Sequence, residues 1–364
     1  MRTPAMNLLA AQHEAEVRNK LLRTNLLAWY NANARALPWR DTRDPYRIWL
    51  SEIMLQQTRV AAVIAHYLKF LRWFPTVEKL AAAREASVLA AWSGLGYYRR
   101  ARMLHAAAKI VARQRGGKFP PTAQELRDLP GIGRYTSAAI ASIAFGEPVA
   151  VVDGNVERVL QRFSGRILGR EDLWIEAEGL LDQQRPGDFN QALMELGATV
   201  CTPRAPACLT CPLVDLCATR GELARSTKTP RQKKREIHYA IDYCAGEVFL
   251  VQRPRDARLM AGMWELPETA VFMAGKNTNQ ISPSLRSYEK NGNGDTRQTK
   301  TLLFAVRHSI TVTDYMVSVW SMPAPAGVRG EWVAVARLGR VALTGLARKI
   351  LRKAEILEEA IPSR

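Results

Sequence analysis

One hydrophobic core seldom grows past about 250 residues, so a chain of 364 residues predicts two or three domains. Its 47% hydrophobic and 24% charged residues exclude a disordered chain, and 52 basic against 34 acidic residues, a net charge of +18, predict an anionic partner, nucleic acid before an acidic membrane surface. No apolar run reaches the roughly 18 residues of a spanning helix, and residues 1–20 lack an export signal's apolar core and cleavage site, so we expect a cytoplasmic protein with no membrane partner.

Residues 1–222 read as almost entirely helical, with apolar residues at helical spacing in 20–30, 45–56, 60–73 and 134–145. Breaks fall at Asp44-Pro45, Gly94-Leu95-Gly96, Pro120-Pro121 and Pro130-Gly131-Ile132-Gly133. Near the end of this region Cys201, Cys208, Cys211 and Cys217 give the spacing C-x6-C-x2-C-x5-C. Four thiolates on one short loop can wrap a single iron–sulfur cubane. Zinc is the chemical rival, but structural zinc usually takes two close cysteine pairs and this loop has one. Residues 223–236 form a basic linker; its 225–236 stretch carries six basic residues and one acid. After it the period changes. Residues 237–252 read as two short strands around Ala245-Gly246, 301–306 and 314–320 as further strands, and 341–357 as a helix. The fold class is therefore a mainly α N-terminal part followed by an α+β domain over 237–358, with 274–300 a long loop.

Three features carry chemistry. The turn Gly131-Ile132-Gly133-Arg134 opens a helix and follows a short helical stretch, making a helix-hairpin-helix over about 123–145. A helix N-terminus of this kind seats a phosphate, although a glycine turn by itself is only a helix start. The stretch Gly94 to Arg102 sets aromatics beside three arginines, which suits bases and backbone or is simply a solvated basic loop. Glu52 has Ile48, Trp49, Leu55 and Gln56 as its helical neighbours; burial there would keep it protonated near neutrality, whereas a solvent-facing position would not. Asp153, in Val151-Val152-Asp153-Gly154-Asn155-Val156, is either a second functional carboxylate or the cap of the helix that follows.

The helix-hairpin-helix, the aspartate about twenty residues later and the cysteine loop, in that order, resemble the DNA glycosylase superfamily that includes endonuclease III. Leu37-Pro38-Trp39-Arg40, Glu52 with Met54 to Thr58, Gly94 to Arg102, Tyr135, Val152 to Val156 and Met263 to Pro267 are more closely similar to the A/G-specific adenine DNA glycosylases of the MutY type, over about 15–355. The resemblance implies a six-helix barrel with a [4Fe-4S] loop at 201–217, then a Nudix-like lesion-recognition domain. It implies a base-excision-repair enzyme, acting as a monomer on double-stranded DNA, that releases adenine opposite 8-oxoguanine or guanine. Glu52 is carried over as the acid that protonates adenine, and Asp153 as the carboxylate that stabilises the oxocarbenium ion, by charge or by a covalent bond. Tyr135 and Asn155 position Asp153 and water, Trp39 and Arg40 wall the pocket, and Gln57 fills the gap left by the base. Thr58, Leu95 and Tyr97 contact the duplex, and Gly131, Gly133 and Arg134 hold phosphate.

Two positions depart from relatives. Glycosylases that also cut the strand carry a lysine where this chain has Tyr135, so the expected product is an intact abasic strand. A Phe-Ser-His loop usual in the C-terminal domain is replaced around Ile310-Thr311-Val312, where only Thr311 keeps a hydroxyl for the lesion edge. No Nudix hydrolase motif is present. The competing readings are an endonuclease III-like pyrimidine-damage lyase and a non-catalytic iron–sulfur DNA-binding module.

Overall fold

The computed structural model describes residues 4–223, 233–257, 259–269, 301–310, 313–325 and 327–357. The 274–300 loop and Thr311 lie outside the described residues. The chain divides into two compact units: 1–68, 76–81 and 106–226, and 69–75, 82–105 and 227–364. Among the described residues, no helix is long and apolar enough to cross a membrane.

The helices run in chain order as α1 (Pro4–Asn33), α2 (Pro45–Leu55), α3 (Val60–Trp73), α4 (Val77–Ala82), α5 (Glu85–Trp92), α6 (Tyr98–Gln114), α7 (Ala123–Leu126), α8 (Arg134–Phe145), α9 (Gly154–Ser164), α10 (Arg170–Leu180) and α11 (Pro186–Thr199). In the first unit Leu22 and Leu26 of α1 pack with Leu160 and Phe163 of α9 and Phe189 and Leu193 of α11. Helix α2 starts where Pro45 pre-sets the first turn and Asp44 accepts the Tyr46 N–H at 2.9 Å. Tyr46 and every residue from Ile48 to Met54 are then buried, with only Arg47 between them exposed, so an acid on the inner turns of α2 is largely shielded from water. Helices α7 and α8 form the expected helical hairpin, with Gly131 in the left-handed region (φ 81°) where a side chain would strain the turn.

The second unit is α+β. Its strands are β1 (Lys233–Ile241), β2 (Tyr243–Cys244), β3 (Glu247–Gln252), β4 (Trp264–Glu265), β5 (Thr301–Ile310), β6 (Thr313–Ser321) and β7 (Glu331–Ala334), and helix α12 (Gly345–Lys353) follows them. One sheet has the order β1-β6-β5, with β1 parallel to β6; the other has β2-β3-β4, with β7 also on β3. Val248, Leu250, Val317 and Val319 face Leu346, Ile350 and Leu351 in the shared core. Strand β1 begins at Lys233, inside the stretch read as linker, because its charged start pairs with Thr313 and Asp314 of β6.

Candidate active site

Three helices of the first unit bring the central groups together. Glu52 of α2 is 6% exposed. Tyr135, in the first turn of α8, donates its hydroxyl to Glu52 Oε2 at 2.6 Å and lies 3.5 Å from Met194 Sδ of α11. Asp153 caps α9: Oδ1 accepts the N–H groups of Asn155 (2.9 Å) and Val156 (2.7 Å), and Oδ2 accepts Asn155 Nδ2 at 2.9 Å. The capping reading of Asp153 thus holds, and the capping bonds fix where its carboxylate sits.

Electrostatics couple the three. Burial pushes the Glu52 carboxyl up to about 7 against the Tyr135 hydrogen bond, and the charge of Asp153 pushes it the same way. Burial also raises Asp153, opposed by hydrogen bonds from Val156 and Asn155 and by the charge of Arg158. Burial and the charges of both carboxylates hold the Tyr135 phenol well above its ordinary value. Two acids therefore share one site in unequal settings, Glu52 in apolar packing and Asp153 in a fan of N–H donors, the division that separates an acid from an anion.

Around them, Trp39 is buried edge-on against Tyr67 with ring centroids 5.3 Å apart. Arg40 donates to Glu195 Oε2 at 2.8 Å and to the Arg35 carbonyl at 3.0 Å. Glu195 also takes a forked pair from Arg35 at 2.6 and 2.7 Å. Burial would raise the Glu195 carboxyl, but these guanidinium hydrogen bonds overcome it and bring it down to about 2. Asn155 is fixed from behind by Arg158, whose Nη2 donates to Asn155 Oδ1 at 2.8 Å and to the Gly197 carbonyl at 2.7 Å, while Nε donates to the Cys201 carbonyl at 2.8 Å. A Cβ on Gly197 would sit 2.6 Å from Asn155 Cβ, so only glycine lets α11 approach.

Gln57, just past α2, is exposed with φ 56°, a conformation that β-carbon sterics disfavour. Thr58 donates its hydroxyl to the Gln56 carbonyl at 3.3 Å, and Gln56 Nε2 donates to Thr136 Oγ1 at 3.2 Å. Gly133 is the N-cap of α8, extended, with no side chain capping the helix. Arg134 turns away to Glu171 at 2.8 Å and stacks on Trp174, its guanidinium carbon 4.0 Å from the ring centre. The turn therefore presents uncapped amides beside a guanidinium that is already paired. Leu95 and Tyr97 belong to the second unit, Leu95 buried and Tyr97 46% exposed with φ 50°.

Cys201, Cys208, Cys211 and Cys217 are half-buried free thiols that line one pocket with Arg162, Val200, Pro206 and Val214. Arg162 Nη1 donates to Cys201 Sγ at 3.3 Å. Sequence reasoning missed Glu195, Arg35 and Arg158. Glu195 carried the signal that exposed Glu52, an acid flanked by Leu193 and Leu196 on a helix; Arg158 carried none, because its partners are backbone carbonyls and an amide.

Residues 50–168 match the HhH-GPD superfamily base excision DNA repair protein family. The chain is 40% identical over 316 residues to the mouse protein named adenine DNA glycosylase, covering 68% of this chain and 60% of that one. It is 49% identical over 213 residues to the human protein of that name, covering 54% and 39%. The chain thus spans less than two thirds of these relatives. A solved structure titled a thermostable thymine-DNA glycosylase is 33% identical, with a TM-score of 0.54, over 57% of this chain and 98% of that one.

Proposed function

The chain belongs to the HhH-GPD superfamily of base excision DNA repair proteins, and from that membership we propose that it is a monofunctional adenine DNA glycosylase acting on adenine opposite 8-oxoguanine or guanine in double-stranded DNA. The observation that carries the reading is the 2.6 Å Tyr135–Glu52 hydrogen bond in a cluster that Asp153 shares. Adenine inside a duplex is out of reach of these groups, so it is extruded, with Gln57 filling the gap.

Glycosidic cleavage sends the bond's electron pair to the base and leaves positive charge on the sugar. Glu52, held near pH 7 and with Oε1 left for a proton, donates to adenine N7; Asp153 faces the oxocarbenium ion. Water then adds at the anomeric carbon and passes a proton to the emptied Glu52 carboxylate, so the products are adenine and an abasic strand and the acid is restored. Tyr135 occupies the place of the lysine amine that would form a Schiff base, which leaves the strand uncut. The amides of the Gly131–Gly133 turn seat phosphate.

The four thiols support a [4Fe-4S] cluster. The support is the donor set itself: four cysteines on one short loop, all lining one pocket, suit a polynuclear group. When bound, the cluster supplies structure and charge to the 201–217 loop. The C-terminal α+β domain is read as Nudix-like, the domain that recognises the base opposite the adenine. The protein acts as a monomer, in the cytoplasm, on nucleoid DNA.

The test is a labelled duplex with A opposite 8-oxoguanine, beside duplexes with A opposite guanine and T opposite guanine. We expect adenine release and strand breaks only after alkali. Breaks without alkali would restore the lyase reading, release of thymine alone would favour the activity named for the thermostable relative, and no release of either base sinks the glycosylase reading.

A further inference from the structure

The second unit holds a side-chain lock that no role above uses. Helix α5 ends at Trp92, and Ser93-Gly94-Leu95-Gly96-Tyr97 arches over to Tyr98, where α6 begins. Gly94, Gly96 and Tyr97 all have positive φ (109°, 73° and 50°). The arch is braced from inside: the Leu95 amide donates to the Trp92 carbonyl at 3.1 Å, and the Trp92 indole N–H to the Gly96 carbonyl at 3.1 Å.

Its feet are tied to residues some 250 positions onward in the chain. Ser93 Oγ donates to the Leu343 carbonyl at 2.6 Å. Tyr98 donates its hydroxyl to the same carbonyl at 3.3 Å and accepts the Gly94 N–H at 3.4 Å. Arg348 of α12, 8% exposed, donates Nε to Ser93 Oγ at 3.0 Å. Leu343 in turn bridges Trp264 of β4, and the Thr344 N–H donates to the Trp264 carbonyl at 2.8 Å. A further tie joins Arg102 of α6 to the Ala261 carbonyl. Arg348 makes no ion pair among the described residues, and its Nη2 is buried there without a hydrogen-bond partner. A guanidinium buried on these terms is costly, so its single bond to Ser93 is retained against a stability penalty.

We propose that Arg348 and Ser93 are positioning residues that fasten the Tyr97 arch to the C-terminal α+β domain, so that reading the opposite base and inserting Tyr97 into the duplex occur as one event. The lock stands on geometry; its use in reading the opposite base rests on the glycosylase assignment. The arch and the C-terminal strands belong to one compact unit, so a displacement at the lesion-facing side is delivered to Tyr97 through bonds and not through a flexible hinge.

Hydrogen exchange on the unliganded full chain reads the lock without any substrate. In Arg348→Met, which keeps the stem's packing, the amides of Gly94 to Tyr97 exchange about tenfold faster or more, the worth of one hydrogen bond from a charged donor. Ser93→Ala reaches the same state from the other partner. Unchanged exchange in both variants overturns the lock. On duplexes, single-turnover adenine release by Arg348→Met falls further opposite 8-oxoguanine than opposite guanine, and Tyr97→Ala costs less in that background than in wild type. Equal losses on both duplexes, or additive losses in the double variant, overturn the coupling. A wild-type protein that releases no adenine sinks the glycosylase assignment instead, and the exchange rates still decide the lock.

Discussion

Two helices of the first unit begin twenty residues apart and end their N-termini in opposite ways. Helix α8 starts at Gly133 with no side chain over its first amides. Helix α9 starts at Asp153, whose carboxylate fills the same position with three hydrogen bonds. The positive end of a helix dipole attracts an anion in both cases. Left bare, it waits for a phosphate from outside; filled from within, it fixes a carboxylate that can face a developing cation. On the proposed function one electrostatic device thus serves binding in α8 and chemistry in α9, and the difference is whether the cap residue has a side chain.

The sharpest break of that comparison is Asp153→Asn, which keeps a good cap and removes only the charge. Adenine release should fall about 10³-fold or more while the melting temperature hardly moves. A variant with near-wild-type turnover would leave Asp153 as a cap and nothing else. Glu52→Gln keeps an acceptor for Tyr135 and removes the donated proton; single-turnover release should drop about 10²- to 10³-fold with duplex affinity retained.

The same carboxyl predicts a pH dependence. Glu52 moves from 4.5 when unfolded to about 7 when folded, so it favours folding only while protonated. That contribution is complete below 4.5 and lost as pH rises through 7, on the order of 3 kcal/mol, and Glu52→Gln should flatten the loss in denaturant titrations. Glu195 runs the other way: lowered from 4.5 to about 2, it stabilises above 4.5 and fails as pH falls through 2. Turnover should decline above about pH 7 as Glu52 deprotonates.

Gly133→Asp would turn the bare cap into a filled one. Space permits it, since a Cβ there meets nothing within 4 Å. Stability should rise by only a few tenths of a kcal/mol from the new cap, while duplex affinity falls about tenfold and loses part of its salt dependence. Unaltered affinity would remove the phosphate role from this turn. Gly133→Ala, which adds no charge, should leave duplex affinity nearly unchanged and cost about 0.5–1 kcal/mol of stability as a poorer cap.

Much of this was legible because the signals are local. Asp44-Pro45 and Asp153-Gly154 announce helix starts, and the apolar neighbours of Glu52 announce its burial. The α+β character of the C-terminal region followed from the change of period after the linker. What stayed hidden depends on residues far apart in sequence. Nothing near Arg40 names Glu195 as its partner 155 positions on. Nothing in Gly94 to Arg102 says that residues 82–105 group with the C-terminal strands. The basic run at 233–236 reads as linker until β6 supplies a partner for it. Arg134, read as a phosphate ligand from its place in the turn, is engaged by Glu171 and Trp174, which the local sequence does not reveal.

The Tyr135 hydroxyl carries one more consequence. A phenol becomes a nucleophile or a base only by losing its proton, and here the resulting phenolate would stand, out of water, against two carboxyl groups that already repel negative charge. Near neutral pH that oxygen keeps its hydrogen. In the proposed reaction it can steady a neighbour but not attack a sugar, so the restraint on that chemistry is written into an atom that is present and in reach, held silent by its surroundings.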